Sequence, residues 1–190
     1  MEIRFRPKEH IDILNGYGVE EIPEKYLDDL FEGISDPNKK PEYKTIDYAA
    51  GADFIWAYAA ISTAINLISL GAQVNGGFEG WLELGKKIKR LIKRTEDIAL
   101  DKDAITVLCV NSILESTTEI QEIKKVIEYE TEIPAAYAYG GECEFSKFIE
   151  KAQIYYVQGF EINSKQFILF GGYQNGKIEL LTNVDIVKYR

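Results

Sequence analysis

The chain is short of the residues that most metal, redox and secreted architectures need. Its two cysteines, Cys109 and Cys143, cannot supply a disulfide framework. Its single histidine, His10, removes most routes to a histidine metal site or a histidine-based triad. A phosphate loop is missing, because Gly16-Tyr17-Gly18 lacks the lysine and the glycine spacing that wrap phosphate oxygens in backbone N–H groups. A dinucleotide fingerprint and the regularly spaced aspartates of a calcium loop are missing too. The opening MEIRFRPKEH is charged and poor in apolar residues, unlike a secretory signal. The expectation is a protein without metal or cofactor, in a reducing, cytoplasmic setting.

What is present belongs to an ordinary globular chain. Of 190 residues, 46% are hydrophobic and 28% charged, enough to fill a core and too apolar for disorder. One α+β domain over 1–190 is expected, with 1–100 a helical sub-lobe and 101–190 an α/β sub-lobe ending in a meander. Tyrosine (12) and phenylalanine (9) lead the aromatics, more than a core alone uses, so some tyrosines fall to recognition surfaces. The formal net charge is −9, yet Lys86, Lys87, Lys89, Arg90, Lys93 and Arg94 crowd into one short segment. The remainder is therefore more acidic than the total shows. A basic helix on an acidic body makes nucleic acid an unsuitable partner for a broad face.

Ile3 to Phe5 alternates as a strand does, and Ile11 to Leu14 is a second extended run before Asn15-Gly16. Pro23 opens a helical pattern of Tyr26, Leu27, Leu30, Phe31 and Ile34, and 35–41 is a loop interrupted twice by proline. The stretch from Phe54 to Phe78 carries no charge. Its apolar and alanine-rich first part predicts a central buried helix, although a run of about 20 uncharged residues is also long enough to span a bilayer. Asn75-Gly76-Gly77 breaks it, and an amphipathic helix over 80–94 follows, the two forming a helical hairpin. Ala104 to Val110 has the β-branched, continuous character of a buried strand. Ser116 and Glu119 have capping-box spacing, and Ile120, Ile123, Val126 and Ile127 supply a helical stripe whose outer face carries Lys124 and Lys125. A short helix is expected around 146–152. Three strand-like runs, 154–157, 166–170 and 177–181, are separated by Asn163-Ser164 and Asn175-Gly176 and predict an antiparallel meander. The whole reads as an α+β protein with a central buried helix and a helical hairpin packed on a mostly antiparallel sheet.

Chemistry has one catalytic candidate, Cys143 in the loop 140–146, where a following helix would stabilise the thiolate. Glu142 and Glu144 oppose this by raising the thiol pKa, and an ordinary loop cysteine is the plainer reading. Adjacent carboxylates are expected by chance among 31 acids, and Asp53 at the start of an uncharged run is ordinary dipole compensation. The basic segment 80–94 is the strongest interaction signal. Trp81, Lys86, Lys87, Lys89, Arg90, Lys93 and Arg94 could meet an anionic surface or an acidic partner, or simply be solvated and paired internally. The expected function is an acidic protein-binding or inhibitor protein of immunity or antitoxin type. The alternatives are a membrane-associated component anchored through 54–73 with 80–94 at the interface, and an enzyme at the 140–146 loop. A protein partner is expected and self-association stays open.

Overall fold

A computed structural model describes residues 1–7, 42–47, 55–60, 73–75, 77–133 and 153–186, with Lys25, Asp28, Asp29, Glu32 and Ile34 between them. Nine strands and two helices run through the described residues. The strands are β1 (Glu2–Pro7), β2 (Glu42–Asp47), β3 (Ile55–Ala60), β4 (Gln73–Asn75), β5 (Thr95–Leu100), β6 (Glu122–Ile133), β7 (Gln153–Ile162), β8 (Gln166–Tyr173) and β9 (Ile178–Asp185). The helices are α1 (Phe78–Arg94) and α2 (Lys102–Ser116). Two antiparallel sheets result, ordered β2-β3-β1-β5 and β4-β6-β7-β8-β9. This is the expected α+β class.

α1 forms where the sequence predicts it. Trp81, Leu84, Ile88 and Leu91 recur every three or four residues, make one apolar stripe and are buried. Glu79 in its first turn and Lys93 and Arg94 in its last complement the helix dipole.

α2 overturns the strand expected at 104–110. Asp101 caps it, its side chain accepting from Ala104 N at 2.9 Å and from Glu2 N at 2.6 Å. Every residue from Ala104 to Asn111 is buried, so α2 has no polar stripe that would mark its period. It is the central buried helix of the fold, set between the two sheets and α1. One apolar cluster joins Ile3 and Phe5 of β1, Leu100 of β5, the α1 stripe, Ile105, Leu108 and Ile113 of α2, and Phe160, Ile168 and Phe170 of the larger sheet. Each such fully buried side chain contributes roughly 2 kcal/mol of transfer free energy.

The central helix expected from Phe54 is corrected in turn. Ile55–Ala60 is a strand paired antiparallel with both β1 and β2, and Gln73–Asn75 is a strand on β6. The uncharged run therefore contributes sheet at both ends, with 61–72 outside the described residues. Among the described residues, no helix is long and apolar enough to cross a membrane. The hairpin expected between that segment and α1 is replaced by packing of α1 on α2. Among the described residues of 1–100, where a helical sub-lobe is expected, five strands stand beside α1.

The helix expected after Ser116 is also a strand. Ser116 ends α2, its Oγ donating to Ser112 O at 2.8 Å, and Glu119 takes a positive φ of 58°. The chain turns there and enters β6. The C-terminal meander is as predicted and one strand wider, since β6 joins β7, β8 and β9 in consecutive order. Asn163 and Ser164 take positive φ angles of 51° and 54° in the three-residue loop 163–165 that reverses the chain between Ile162 and Gln166. Asn163 also locks this turn to the start of β6: its Oδ1 accepts from Gln121 N at 2.8 Å and Glu122 N at 3.0 Å. The β8–β9 turn is fastened to the smaller sheet by Leu100 N donating to Gln174 O at 2.8 Å.

Candidate functional site

The basic face of α1 is partly neutralised from within. Lys86 pairs with Glu83 at 3.0 Å, and Lys89 with Glu115 of α2 at 2.8 Å. The hydrogen bond and charge of Lys86 hold the exposed Glu83 carboxyl below its ordinary value. Lys87 is engaged as well, and Arg94 Nη1 reaches Asp29 O at 3.5 Å, the outer limit of a hydrogen bond. Arg90 and Lys93 lie exposed on the same helix. Trp81 is only 3% exposed and sits in the core, so it anchors α1 and offers nothing to a membrane or partner. Cys143 with its loop 140–146, His10 and Asp53 lie outside the described residues.

The described cysteine, Cys109, is fully buried in α2. Burial pushes its thiol well above the ordinary range, with only the nearby Lys125 charge opposing. A thiol so placed is inert.

A polar cluster that the sequence reading missed lies between α2 and the larger sheet. Lys125, expected on a solvated helix face, is 2% exposed on β6. Its ammonium pairs with Glu128 and reaches Thr106 Oγ1 at 3.4 Å. Thr106 donates to Lys102 O at 2.9 Å, and Gln158 Nε2 donates to Thr106 Oγ1 at 2.9 Å. Lys102 approaches Glu128 from the rim at 3.4 Å. Burial works against ionisation of Glu128, but Lys125 and then Lys102 outweigh it and hold the carboxyl below its ordinary value.

A bulge makes this pair. Lys125 opposes Phe160 and Ile127 opposes Gly159, so Val126 is an extra residue in β6. Without it, residues three apart on a strand would face opposite sides. With it, Lys125 and Glu128 both face α2, while Ile127 and Tyr129 turn to the other face. The cluster joins a buried ammonium to a half-buried carboxylate between α2 and the larger sheet.

The other face of the larger sheet is the candidate binding surface. Register places Ile127, Tyr129 and Thr131 of β6 beside Gly159, Val157 and Tyr155 of β7, and these beside Leu169, Gly171 and Tyr173 of β8. No described helix packs here, because α2 covers the opposite side. Tyr129 is 60% exposed and Ile127 40%. Tyr155 meets Tyr173 edge to face at 4.9 Å, and its hydroxyl lies over Gly171, where any Cβ would collide with it. Lys177 sits over the Tyr173 ring at 5.3 Å. Two carboxylates share this face, Glu161 in β7 and Glu179 in β9, the latter paired with Lys177 at 2.8 Å, while Glu130 and Glu132 of β6 turn to the α2 side. The only signal for this surface in the sequence was the tyrosine surplus. Its side chains come from three strands and could not be grouped without the register.

Fold and surface together define an α+β scaffold of two antiparallel sheets around one buried helix, with an aromatic face left uncovered by its described helices. Comparisons with protein families, with curated proteins and with solved structures find no match for the chain.

Proposed function

We propose that this chain is a protein-binding protein that docks a basic partner on the open face of its larger sheet. The observation that carries this reading is the pair Tyr129 and Ile127, exposed at 60% and 40% within a tyrosine-rich patch that has Glu161 and Glu179 at its margins. Interface centres have that composition, with aromatics enriched and charges pushed to the rim. The formal charge of −9 then steers a positively charged target toward the face and speeds encounter. Inhibition of a basic enzyme in the cytoplasm, as immunity-type and antitoxin-type proteins perform it, is the role that suits this combination. An interfacial membrane role for α1 loses its apolar anchor, because Trp81 is buried in the core.

A photo-reactive residue in place of Tyr129, used in the native cell, tests the proposal. The expected result is cross-linking to one basic protein, abolished by Ile127→Glu and absent when the probe replaces exposed Glu119. No adduct from position 129, or the same adducts from position 119, overturns it.

A further inference from the structure

Beyond its bulge, β6 alternates without a break. Ile127, Tyr129 and Thr131 take one side, and Glu128, Glu130 and Glu132 take the other. A strand with one face on a core ordinarily turns its apolar set inward and its charges to water. β6 does the reverse. Its three glutamates lie on the side of α2, opposite Gln158, Tyr156 and Ile154 of β7, and its apolar set lies on the open face.

A register without the bulge would put this right. Slid by one residue against β7, Ile127 would oppose Gln158, Tyr129 would oppose Tyr156, and Thr131 would oppose Ile154, all on the side of α2. The glutamates would then point to the open face, since a shift of one residue exchanges the two faces of a strand. Among the described residues, β4 is the other neighbour of β6, and it pairs only with Glu122–Lys124, ahead of the bulge. That edge does not oppose the slide. The ion pair does. Lys125 precedes the bulge and would stay opposite Phe160, 2% exposed, while Glu128 crossed to the far face. Lys102 would lose the same carboxylate, which it approaches at 3.4 Å. Stripping a buried charge of its counter-ion is strongly destabilising, and fixing register is the best-attested use of such a pair.

We propose that Lys125 and Glu128 form a register lock, which holds the bulge at Val126 and so keeps Ile127 and Tyr129 on the open face. They are positioning residues: neither reaches that face, yet together they decide what it displays. That the displayed pair serves docking rests on the function proposed above, whereas the lock itself does not.

Cross-strand nuclear Overhauser contacts in the isotope-labelled full chain read the register directly. In the parent chain Tyr129 should meet Val157. In Lys125→Met with Glu128→Gln no charge needs a partner, so Tyr129 should meet Tyr156 instead, and its ring should be shielded from a soluble paramagnetic probe. Lys125→Gln with Glu128→Gln, which keeps a hydrogen-bonding side chain for Thr106, should show the same shift. Deleting Val126 from either double variant makes the original pairing the one without a bulge, and Tyr129 should return to Val157. Cross-linking from position 129 should be lost in the double variants and regained with the deletion. Double variants that keep Tyr129 against Val157 overturn the lock, as does a deletion that fails to restore that pairing. A register that shifts and returns as expected, in a chain whose parent form gives no cross-link, supports the lock and overturns the docking reading alone.

Discussion

Lys125 shows how far one residue's role depends on its surroundings. By type it belongs at the surface, and in the fold it is buried with Glu128 as its counter-ion. Removing one member of a buried pair leaves the other charge without compensation, which costs more than the pair itself contributes. Glu128→Gln should therefore destabilise the chain by about 3 kcal/mol in urea unfolding. Adding Lys125→Met should recover most of that loss, because both charges are then gone. The pH dependence has a definite sign. Glu128 titrates lower in the folded chain than in the unfolded one, so its stabilisation is present above the ordinary glutamate range. It is lost as pH falls through the lowered folded value. Comparing unfolding of the parent and Glu128→Gln across the acid range measures it: their difference should shrink as pH falls, and a constant difference would contradict the assignment.

At the scale of elements, the contact between α1 and α2 rests on a glycine. A Cβ at Gly85 would lie 2.5 Å from Asn111 Cβ, and neither atom can move without moving its helix. Asn111 also donates Nδ2 to Leu82 O at 3.3 Å across the same contact. Gly85→Ala gains about 1 kcal/mol of helix propensity. Against that, overpacking in a tight contact costs about 1–3 kcal/mol, and the Asn111 bond is strained besides. Steric cost should win, with a lower thermal midpoint for Gly85→Ala. A raised midpoint would show that the helices can part freely.

Elements also differ in how plainly the sequence announces them. α1 is legible because its buried residues repeat on one side and its charges on the other. The meander is legible because Asn163-Ser164 and Asn175-Gly176 sit between runs of β-branched and aromatic residues. α2 and β6 each carry the sequence pattern of the other's type, for linked reasons. A helix buried on all sides has no polar period, and Ile105, Val107 and Val110 are β-branched, so α2 resembles a strand. β6 has its alternation shifted at Val126 by the bulge, and Ile123, Val126 and Ile127 then fall at helical spacing. Local pattern has no means of distinguishing these cases.

For the whole molecule, the decisive fact is that one apolar cluster draws on both sheets and both helices. Neither sheet can lose its packing without exposing α2. Thermal unfolding should therefore be a single transition, the same by far-UV circular dichroism and by tryptophan fluorescence. Two separated transitions would mean two independently stable units. The sequence alone determined the α+β class, the amphipathic helix, the hairpin turns and the acidic balance, because each is a property of neighbouring residues or of a sum. Tertiary structure decided which segment becomes the central helix, that Lys125 is buried beside Glu128, and that tyrosines from three strands share one open face. Those depend on strand register and on what packs over a segment, and register changes sides with a single inserted residue.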